Sequence, residues 1–213
     1  MGFVRFIMGL LRDPRAAIAS WIAAGPLAAY GFVFLIIFVE TGVVFFPFLP
    51  GDSLLFAAGF FAQGGGFHIM ALLAVAWAAA IAGDQCNFLI GHYFGKGIVR
   101  SGKVAAMTPE RIAKSEAFLD KWGNLAIFLG RFFPFIRTFV PFLAGMGGMK
   151  WHNFFLYNIL GGITWSTGFV LLGYFFGGIP FVQEHFELLI VGIVGVSVIP
   201  TAVGLLRAKL GGK

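Results

Sequence analysis

Four long apolar stretches are the feature that most constrains this chain. They cover residues 16–39, 68–94, 151–176 and 187–206. Each has the length, about 20 residues or more, that an α-helix needs to cross a hydrocarbon core of roughly 30 Å. In lipid the backbone polar groups of such a segment must be satisfied internally, so it spans as a helix. The sequence therefore predicts an all-α integral membrane protein with about four transmembrane helices.

The scarcity of charge excludes the soluble classes. Of 213 residues, 15 are Lys or Arg and 9 are Asp or Glu, while 59% are hydrophobic. Soluble domains carry about 25% charged residues. A soluble enzyme and a disordered chain are both excluded. The net charge of +6 is better explained by membrane topology than by nucleic-acid binding.

Two further apolar segments, residues 41–61 and 124–149, are interrupted. Proline inside a helix removes a backbone hydrogen bond and adds a clash. Irregular backbone at membrane depth is tolerated only where protein or a water-filled cavity satisfies it. We predict that these segments form two re-entrant hairpins, each entering and leaving on one side of the membrane. The predicted hairpin breaks are Pro47, Pro50, Gly51, Pro134 and Pro141.

The distribution of basic residues predicts the topology. With the N-terminus inside, four spans and two hairpins place 13 of the 15 basic residues on the cytoplasmic side and none outside. The other two, Arg131 and Arg137, lie within the second hairpin. This agrees with the positive-inside rule. Both termini of this multi-pass protein are predicted to be cytoplasmic.

The basic inner loop contains a short predicted helix at about 108–122. Thr108 and Pro109 have the residue types of an N-cap and a first helical position. Apolar side chains such as Phe118 and Trp122 alternate with charged ones. We expect this helix to lie at the membrane interface.

An internal repeat organises the middle of the chain. The run Phe45–Leu49 is echoed by Phe132–Ile136, and Leu89–Gly95 is echoed by Leu171–Gly177. The repeat units, about 41–95 and 124–177, would run in opposite directions under the predicted topology. This is the inverted-topology repeat of secondary transporters. We treat residues 1–213 as a single membrane domain whose core covers about 30–206.

Five charged residues remain in the apolar interior, and they define the candidate site. A charge at the bilayer centre costs at least ~2.5–3.5 kcal/mol on insertion scales. Mutual neutralisation that locks the hairpins together is one interpretation. Alternatively, the two arginines, six residues apart across Pro134, bind an anionic head group, and two of the acids exchange protons. The five are Glu40, Asp52, Asp84, Arg131 and Arg137.

Five motifs carry a resemblance that runs from about residue 30 to 206. They are Glu40–Gly42, Phe48–Leu55, Gly83–Asp84, Gly91–Gly95 and Gly130–Thr138, the last continuing through Ala144–Met146. At these residues the sequence resembles the DedA family of bacterial inner-membrane proteins, within the wider VTT or SNARE-associated superfamily. The resemblance implies two facing re-entrant hairpins. It also implies translocation of undecaprenyl phosphate driven by the proton-motive force.

The family's functional residues fall on matching positions of this chain. Glu40 and Asp52 would couple transport to protons, and Arg131 and Arg137 would bind the lipid phosphate. Whether Asp84 is functional or only a charge partner is left open. We expect a transporter or flippase for undecaprenyl phosphate or another anionic phospholipid, with no catalytic residue, cofactor, metal or nucleic acid.

Two alternatives stay open. One is a proton- or sodium-coupled carrier of a small ion or solute. The other is a structural or assembly factor that transports nothing. The direction of transport and the oligomeric state, including a homo-oligomer, are not determined by the sequence.

Overall fold

The computed structural model describes residues 14–43, 51–101, 109–133, 136–180 and 182. Within these ranges the chain is helical and contains no strand. In chain order the helices are α1 Pro14–Ala23, α2 Pro26–Gly42, α3 Gly51–Gln63, α4 Ile69–Ser101, α5 Pro109–Trp122, α6 Leu125–Gly130, α7 Ile136–Met146 and α8 Trp151–Phe176.

Two of the predicted spans are confirmed as long apolar helices. Helix α4 covers the stretch predicted at 68–94, and α8 coincides with the stretch at 151–176. Among the described residues these two are long and apolar enough to cross a membrane. The fourth predicted span, 187–206, lies outside the described residues. The number of spans and the sides on which the termini lie stay predictions.

The first predicted span, 16–39, is divided in the structure. Helix α1 ends at Ala23 and α2 begins at Pro26. Between them Gly25 adopts φ +110°, a conformation that glycine reaches without a steric penalty. Pro26 then starts the next helix. Proline is suited to this position because it lacks a backbone N–H, and an N–H in the first turn would have no acceptor within the helix. A continuous apolar stretch does not reveal this break.

Both interrupted segments are partly helical, and the second contains a break between two helices. Helix α3 begins at Gly51, and α6 and α7 flank residues 131–135. The breaks predicted at Pro47, Pro50 and Pro134 lie outside the described residues. The break predicted at Pro141 is wrong, because α7 continues through this buried residue. Pro141 cannot donate to the carbonyl four residues earlier, and the surrounding packing tolerates this loss. The placement of either segment relative to a membrane stays a prediction.

A helix is present as α5 where one was predicted at about 108–122, and its location at a membrane interface stays a prediction. It begins at Pro109 and ends at Trp122, with Gly123 at φ +54° directly after it. The N–H of Gly123 donates to the carbonyl of Leu119 at 2.7 Å, which is a common way to end a helix.

The described residues group into two compact units, and each is considered by itself. The first takes its residues from Met1–Ala29, Pro50–Leu72 and Phe169–Lys213, and the second from Tyr30–Leu49 and Leu73–Gly168. In the second unit α5, α6 and α7 contact one another. Phe88 of α4 stacks on Phe154 of α8 with ring centroids 4.3 Å apart. The core around this pair includes Phe88, Ala126, Ile127, Val140, Ala144 and Phe154.

Glycines bring helices into backbone contact within each unit. In the first unit, a methyl group added at Gly59 would lie 2.1 Å from the Val170 carbonyl oxygen, and one at Gly173 would lie 1.9 Å from that of Phe56. In the second unit, a methyl group at Gly145 would lie 2.1 Å from the Phe88 carbonyl oxygen, and one at Gly91 would lie 2.0 Å from that of Phe142. Such small-residue contacts are typical of membrane helices.

These contacts follow the internal repeat. The repeat pairs Gly59 with Gly145 and Gly91 with Gly173. The contact between Gly59 and α8 in one unit therefore corresponds to that between Gly145 and α4 in the other. Equivalent glycines of the two repeat units thus make equivalent backbone contacts, and the duplication and its orientation across the membrane stay predictions.

We expect Gly91→Ala to destabilise the protein, because the added methyl group would collide with backbone rather than with a flexible side chain. Overpacking typically costs ~1–3 kcal/mol. Gly97→Ala, in the same helix with nothing within 4 Å of the added group, is the matched control and should be neutral or stabilising by up to ~1 kcal/mol. Thermal unfolding of the purified chain in detergent measures both. Equal melting temperatures for the two variants would contradict the contact.

Candidate functional site

Glu40 and Arg137 form a buried ion pair. Glu40 lies in the last turn of α2, and Arg137 is the second residue of α7. The Nη2 group of Arg137 donates to Oε1 of Glu40. Glu40 is completely buried, and Arg137 is 8% exposed. The guanidinium carbon of Arg137 lies 5.4 Å from the ring centroid of Trp165, within the range of a cation–π contact.

Arg131 and Asp84 form a second buried pair. Arg131 directly follows α6, and Asp84 lies in the middle of α4. The distance from Arg131 Nη2 to Asp84 Oδ2 is 2.6 Å. The same Nη2 donates to Oδ1 of Asn158 at 2.5 Å and lies 3.2 Å from the carbonyl oxygen of Ala80. Charge-assisted hydrogen bonds of this kind are the strong ones in proteins.

Asn158 ties this pair to the backbone of α4. Its Nδ2 donates to the carbonyl oxygen of Ile81 at 3.0 Å while its Oδ1 accepts from Arg131. Asn158 is fully buried in α8. One side chain therefore links α8, α4 and the arginine.

Asn87 connects the segments that carry the other pair. Its Nδ2 donates to the carbonyl oxygen of Thr138 at 2.8 Å and to that of Thr41 at 3.2 Å. Thr41 directly follows Glu40, and Thr138 directly follows Arg137. Asn87 is completely buried. This amide therefore holds the backbone on both sides of the Glu40–Arg137 pair.

A small cavity lies between the two pairs. The space open to the centre of a water-sized sphere is about 10 Å³, which corresponds to roughly one water molecule. Two of the lining side chains, Arg131 and Thr138, each have a polar atom, Nε and Oγ1, for which the described residues provide no hydrogen-bond partner. The cavity is lined by Thr41, Asp84, Arg131, Arg137, Thr138 and Trp165.

The structure therefore brings together four of the five predicted charged residues. Two carboxylates and two guanidiniums balance in the second unit, each acid with its own arginine. Balanced pairing is the arrangement expected when charges are withdrawn from water. The cavity is too small for a phosphate group, so an anion would enter only if one pair opened.

Asp52, the fifth charged residue, belongs to the first unit. It is buried in the first turn of α3, where a carboxylate is stabilised by the helix dipole. Gly51, the preceding residue, starts this helix. Within the described residues, no three His, Cys, Asp or Glu side chains are grouped as a metal site would require.

Five site residues are not identified by the sequence analysis as part of the site. They are Thr41, Asn87, Thr138, Asn158 and Trp165. A signal was available for Asn158, because a polar side chain within a membrane helix is costly and usually faces protein. For Thr138 and Trp165 composition offers no such signal, since both types also occur at ordinary helix contacts.

Comparison with known proteins places the chain in a family. The VTT domain matches residues 49–175. Protein DedA of Escherichia coli (strain K12) is 38% identical over 211 residues, which cover 98% of this chain and 96% of the relative. The chain belongs to the DedA family.

Other members of this family are also named as membrane proteins. An uncharacterized membrane protein of Mycobacterium leprae (strain TN) is 40% identical over 169 residues, covering 79% of this chain and 76% of the relative. Inner membrane protein YghB of Escherichia coli (strain K12) is 33% identical over 156 residues, which cover 73% of this chain and 71% of the relative. No solved structure matches significantly. Together with the two long apolar helices, these relatives identify the chain as a membrane protein of the DedA family.

We expect Asn87→Leu to destabilise the chain, because it leaves the carbonyls of Thr41 and Thr138 without their shared donor. A buried group left unsatisfied costs ~1–3 kcal/mol. Gln85→Met is the matched control in the same helix, since both polar atoms of the Gln85 amide are buried and have no hydrogen-bond partner among the described residues. This control should be neutral or stabilising. Thermal unfolding in detergent compares the two, and a larger loss for Gln85→Met would contradict the interpretation.

Proposed function

We propose that this DedA-family protein is a translocase that moves a lipid phosphate, such as undecaprenyl phosphate, across the cytoplasmic membrane by using the proton-motive force. The observation that carries the proposal is the buried Arg137, which forms an ion pair with Glu40 beside a cavity. A guanidinium offers several donors in a planar fork that matches phosphate oxygens. It is an apt group for recognising an anionic head group.

The surroundings of the site favour a lipid over a soluble anion. Within the second unit, helices α4 and α8 present large exposed apolar side chains, among them Leu89, Phe94, Leu156 and Leu160. A hydrocarbon tail can remain against such a surface while the head group reaches the buried arginine. Another anionic phospholipid would satisfy the same chemistry.

Glu40 supports the coupling to protons. When Glu40 takes up a proton, it no longer neutralises Arg137, and the guanidinium then needs another anion. Uptake of a proton and binding of a phosphate would thus be linked at one pair. Asp52 is proposed as a second proton-exchanging group, in line with its burial at the start of α3.

We further propose a multi-pass arrangement in the inner membrane with both termini in the cytoplasm, and a mechanism without covalent chemistry or a cofactor. The inner-membrane names of the relatives support this location. Lipid and protons are the proposed partners, and a homo-oligomer is compatible with the same site.

A second candidate function is a structural or assembly role. The specific observation in its favour is the one-to-one pairing of acids and arginines, which is sufficient to hold helices together without a ligand. A small-ion or solute carrier is the other transport alternative. It predicts proton flux that depends on a soluble substrate in vesicles without any polyprenyl phosphate.

The proposal predicts that the full chain in liposomes will flip undecaprenyl phosphate faster when a proton gradient is present. A protonophore should abolish the difference, and undecaprenol, which lacks the phosphate, should not be transported. The readout is the fraction of lipid phosphate accessible from outside. Flipping that is unchanged by the gradient would contradict proton coupling, and no flipping would favour the assembly role.

In the same assay Arg137→Ala should abolish transport, and Arg137→Lys should reduce it by roughly tenfold or more, because a point ammonium loses charge-assisted hydrogen bonds worth ~1.5–3 kcal/mol. Lys150→Ala removes an exposed cation and is the control, with transport retained. Full activity of Arg137→Ala would eliminate the phosphate-binding role of this residue.

A further inference from the structure

We propose that the second unit carries a binding site for a small soluble ligand with two ammonium groups and one carboxylate, as in a basic amino acid. The site is a cavity lined by α5, by the end of α7 and by the start of α8. It shares no lining residue with the cavity between the two buried pairs. The inference therefore goes beyond the proposed transport function and does not depend on it.

The cavity has the size of a small-molecule site. The space open to the centre of a water-sized sphere is about 510 Å³, within the range of roughly 300–1,000 Å³ that is typical of ligand pockets. Part of the wall is apolar and consists of Leu119, Leu143, Met146 and Met149. Ligand sites commonly combine such a wall with a few polar groups that fix the orientation of the ligand.

Charged groups of both signs line this cavity without pairing. Glu116 and Asp120 come from α5, and Lys150 directly precedes α8. Among the described residues, none of these three side chains forms an ion pair. Asn124 also lines the cavity, and its side chain makes no capping hydrogen bond to α6. The cavity thus offers two negative charges, one positive charge and an amide to a ligand.

The stability of α5 does not explain its two carboxylates. Glu116 and Asp120 are four residues apart, so they share one face of the helix and repel each other. Asp120 also lies in the last turn of α5, which ends at Trp122, and the helix dipole disfavours a negative charge there. Acidic residues in this arrangement lower the stability of the helix, which indicates a role other than folding.

The first unit contains a cavity at the corresponding place without these charges. The predicted repeat pairs Gly59 with Gly145, and the next residue in each case, Phe60 or Met146, lines the cavity of its unit. The cavity of the first unit has a volume of about 400 Å³, and none of its described lining residues is charged. Helix packing at this place therefore does not require charged side chains. The described lining of the first cavity is Ala19, Ile22, Ala23, Phe60, Phe61, Gln63, Gly64, Gly66 and Gly177.

The arrangement of the charges defines the ligand. Side chains four residues apart on a helix have Cβ atoms about 5–6 Å from each other, so Glu116 and Asp120 suit two ammonium groups joined by a short methylene chain. The ligand carboxylate would meet Lys150 and the N-terminus of α8, where the helix dipole favours negative charge. A basic amino acid carries all three groups at neutral pH. Its net positive charge balances the net negative charge of the lining.

The backbone that carries Lys150 is held in place by hydrogen bonds. The N–H of Met149 donates to the carbonyl of Ala144 at 3.0 Å, and the carbonyl of Lys150 accepts from the N–H of Asn153 at 3.1 Å. Gly148 adopts φ +78° in this loop, a conformation that glycine reaches without a steric penalty. This side of the cavity is therefore preorganised, which lowers the entropic cost of binding.

The test measures binding of radiolabelled L-lysine to the full chain in phosphatidylcholine nanodiscs by scintillation proximity. Two competitors share its methylene chain: cadaverine lacks the carboxylate, and 6-aminohexanoate lacks the α-ammonium group. We expect saturable binding of lysine, and we expect each competitor to bind roughly tenfold more weakly or worse, because it loses a charge-assisted contact. No saturable binding, or equal affinity for the three molecules, would overturn the proposal.

Replacements in the lining test the role of each charge. Glu116→Gln and Asp120→Asn should each weaken lysine binding roughly tenfold or more, while the melting temperature stays the same or rises because the repulsion within α5 is removed. Lys150→Ala should weaken binding of lysine but not of cadaverine, which has no carboxylate to lose. Lys121→Ala removes an exposed cation outside the cavity and is the matched control, with lysine binding retained.

Two results with these variants would contradict the assignment. One is normal lysine binding by both carboxylate variants, and the other is an equal loss of lysine and cadaverine in Lys150→Ala. The nanodisc lipid separates a soluble ligand from a lipid head group, since phosphatidylcholine has no primary amine. Adding phosphatidylethanolamine should leave lysine binding unchanged. Displacement of lysine by this lipid would identify a head-group site and overturn the soluble ligand.

Discussion

The neutralisation of buried charge is the constraint on which the rest of the second unit depends. Two carboxylates and two guanidiniums are withdrawn from water in a chain with very few charges. Removing one partner of such a pair leaves a charge with no compensation, which is far more costly than never having the pair. The helices that carry these four residues, α2, α4 and α7 together with the turn after α6, must therefore come together for the unit to fold.

Glycine and asparagine make this approach possible, each in its own way. Glycines remove the side-chain layer between helices, so that Gly91 and Gly145 bring α4 and α7 into backbone contact. Asparagines bind carbonyls of neighbouring helices, as Asn87 does for Thr41 in α2 and Thr138 in α7. Both kinds of contact suit a lipid bilayer, where helix association relies on close packing and on hydrogen bonds within the protein. The charged pairs are thus held by a framework that does not depend on water.

Much of the helical framework could be predicted from the sequence because it follows from local properties. The lengths of the stretches at 68–94 and 151–176 predict α4 and α8, and the cap residues before Glu110 predict α5. The continuity of a helix through a single residue is less predictable. The apolar composition around Gly25 predicts one continuous helix, but the helix is interrupted there. Pro141 predicts the end of a helix, but the helix continues through it. Both outcomes depend on how neighbouring segments pack, which a one-dimensional pattern does not contain.

The sequence by itself determined that this is a helical membrane protein and that five charged residues lie in its apolar interior, because hydrophobic length and charge cost are properties of residues and their order. The tertiary structure alone decided which charges meet. It pairs Glu40 with Arg137 and Asp84 with Arg131, and it places Asn158 where it accepts a hydrogen bond from Arg131. Residues 97 positions apart in the chain become partners only through the packing of helices.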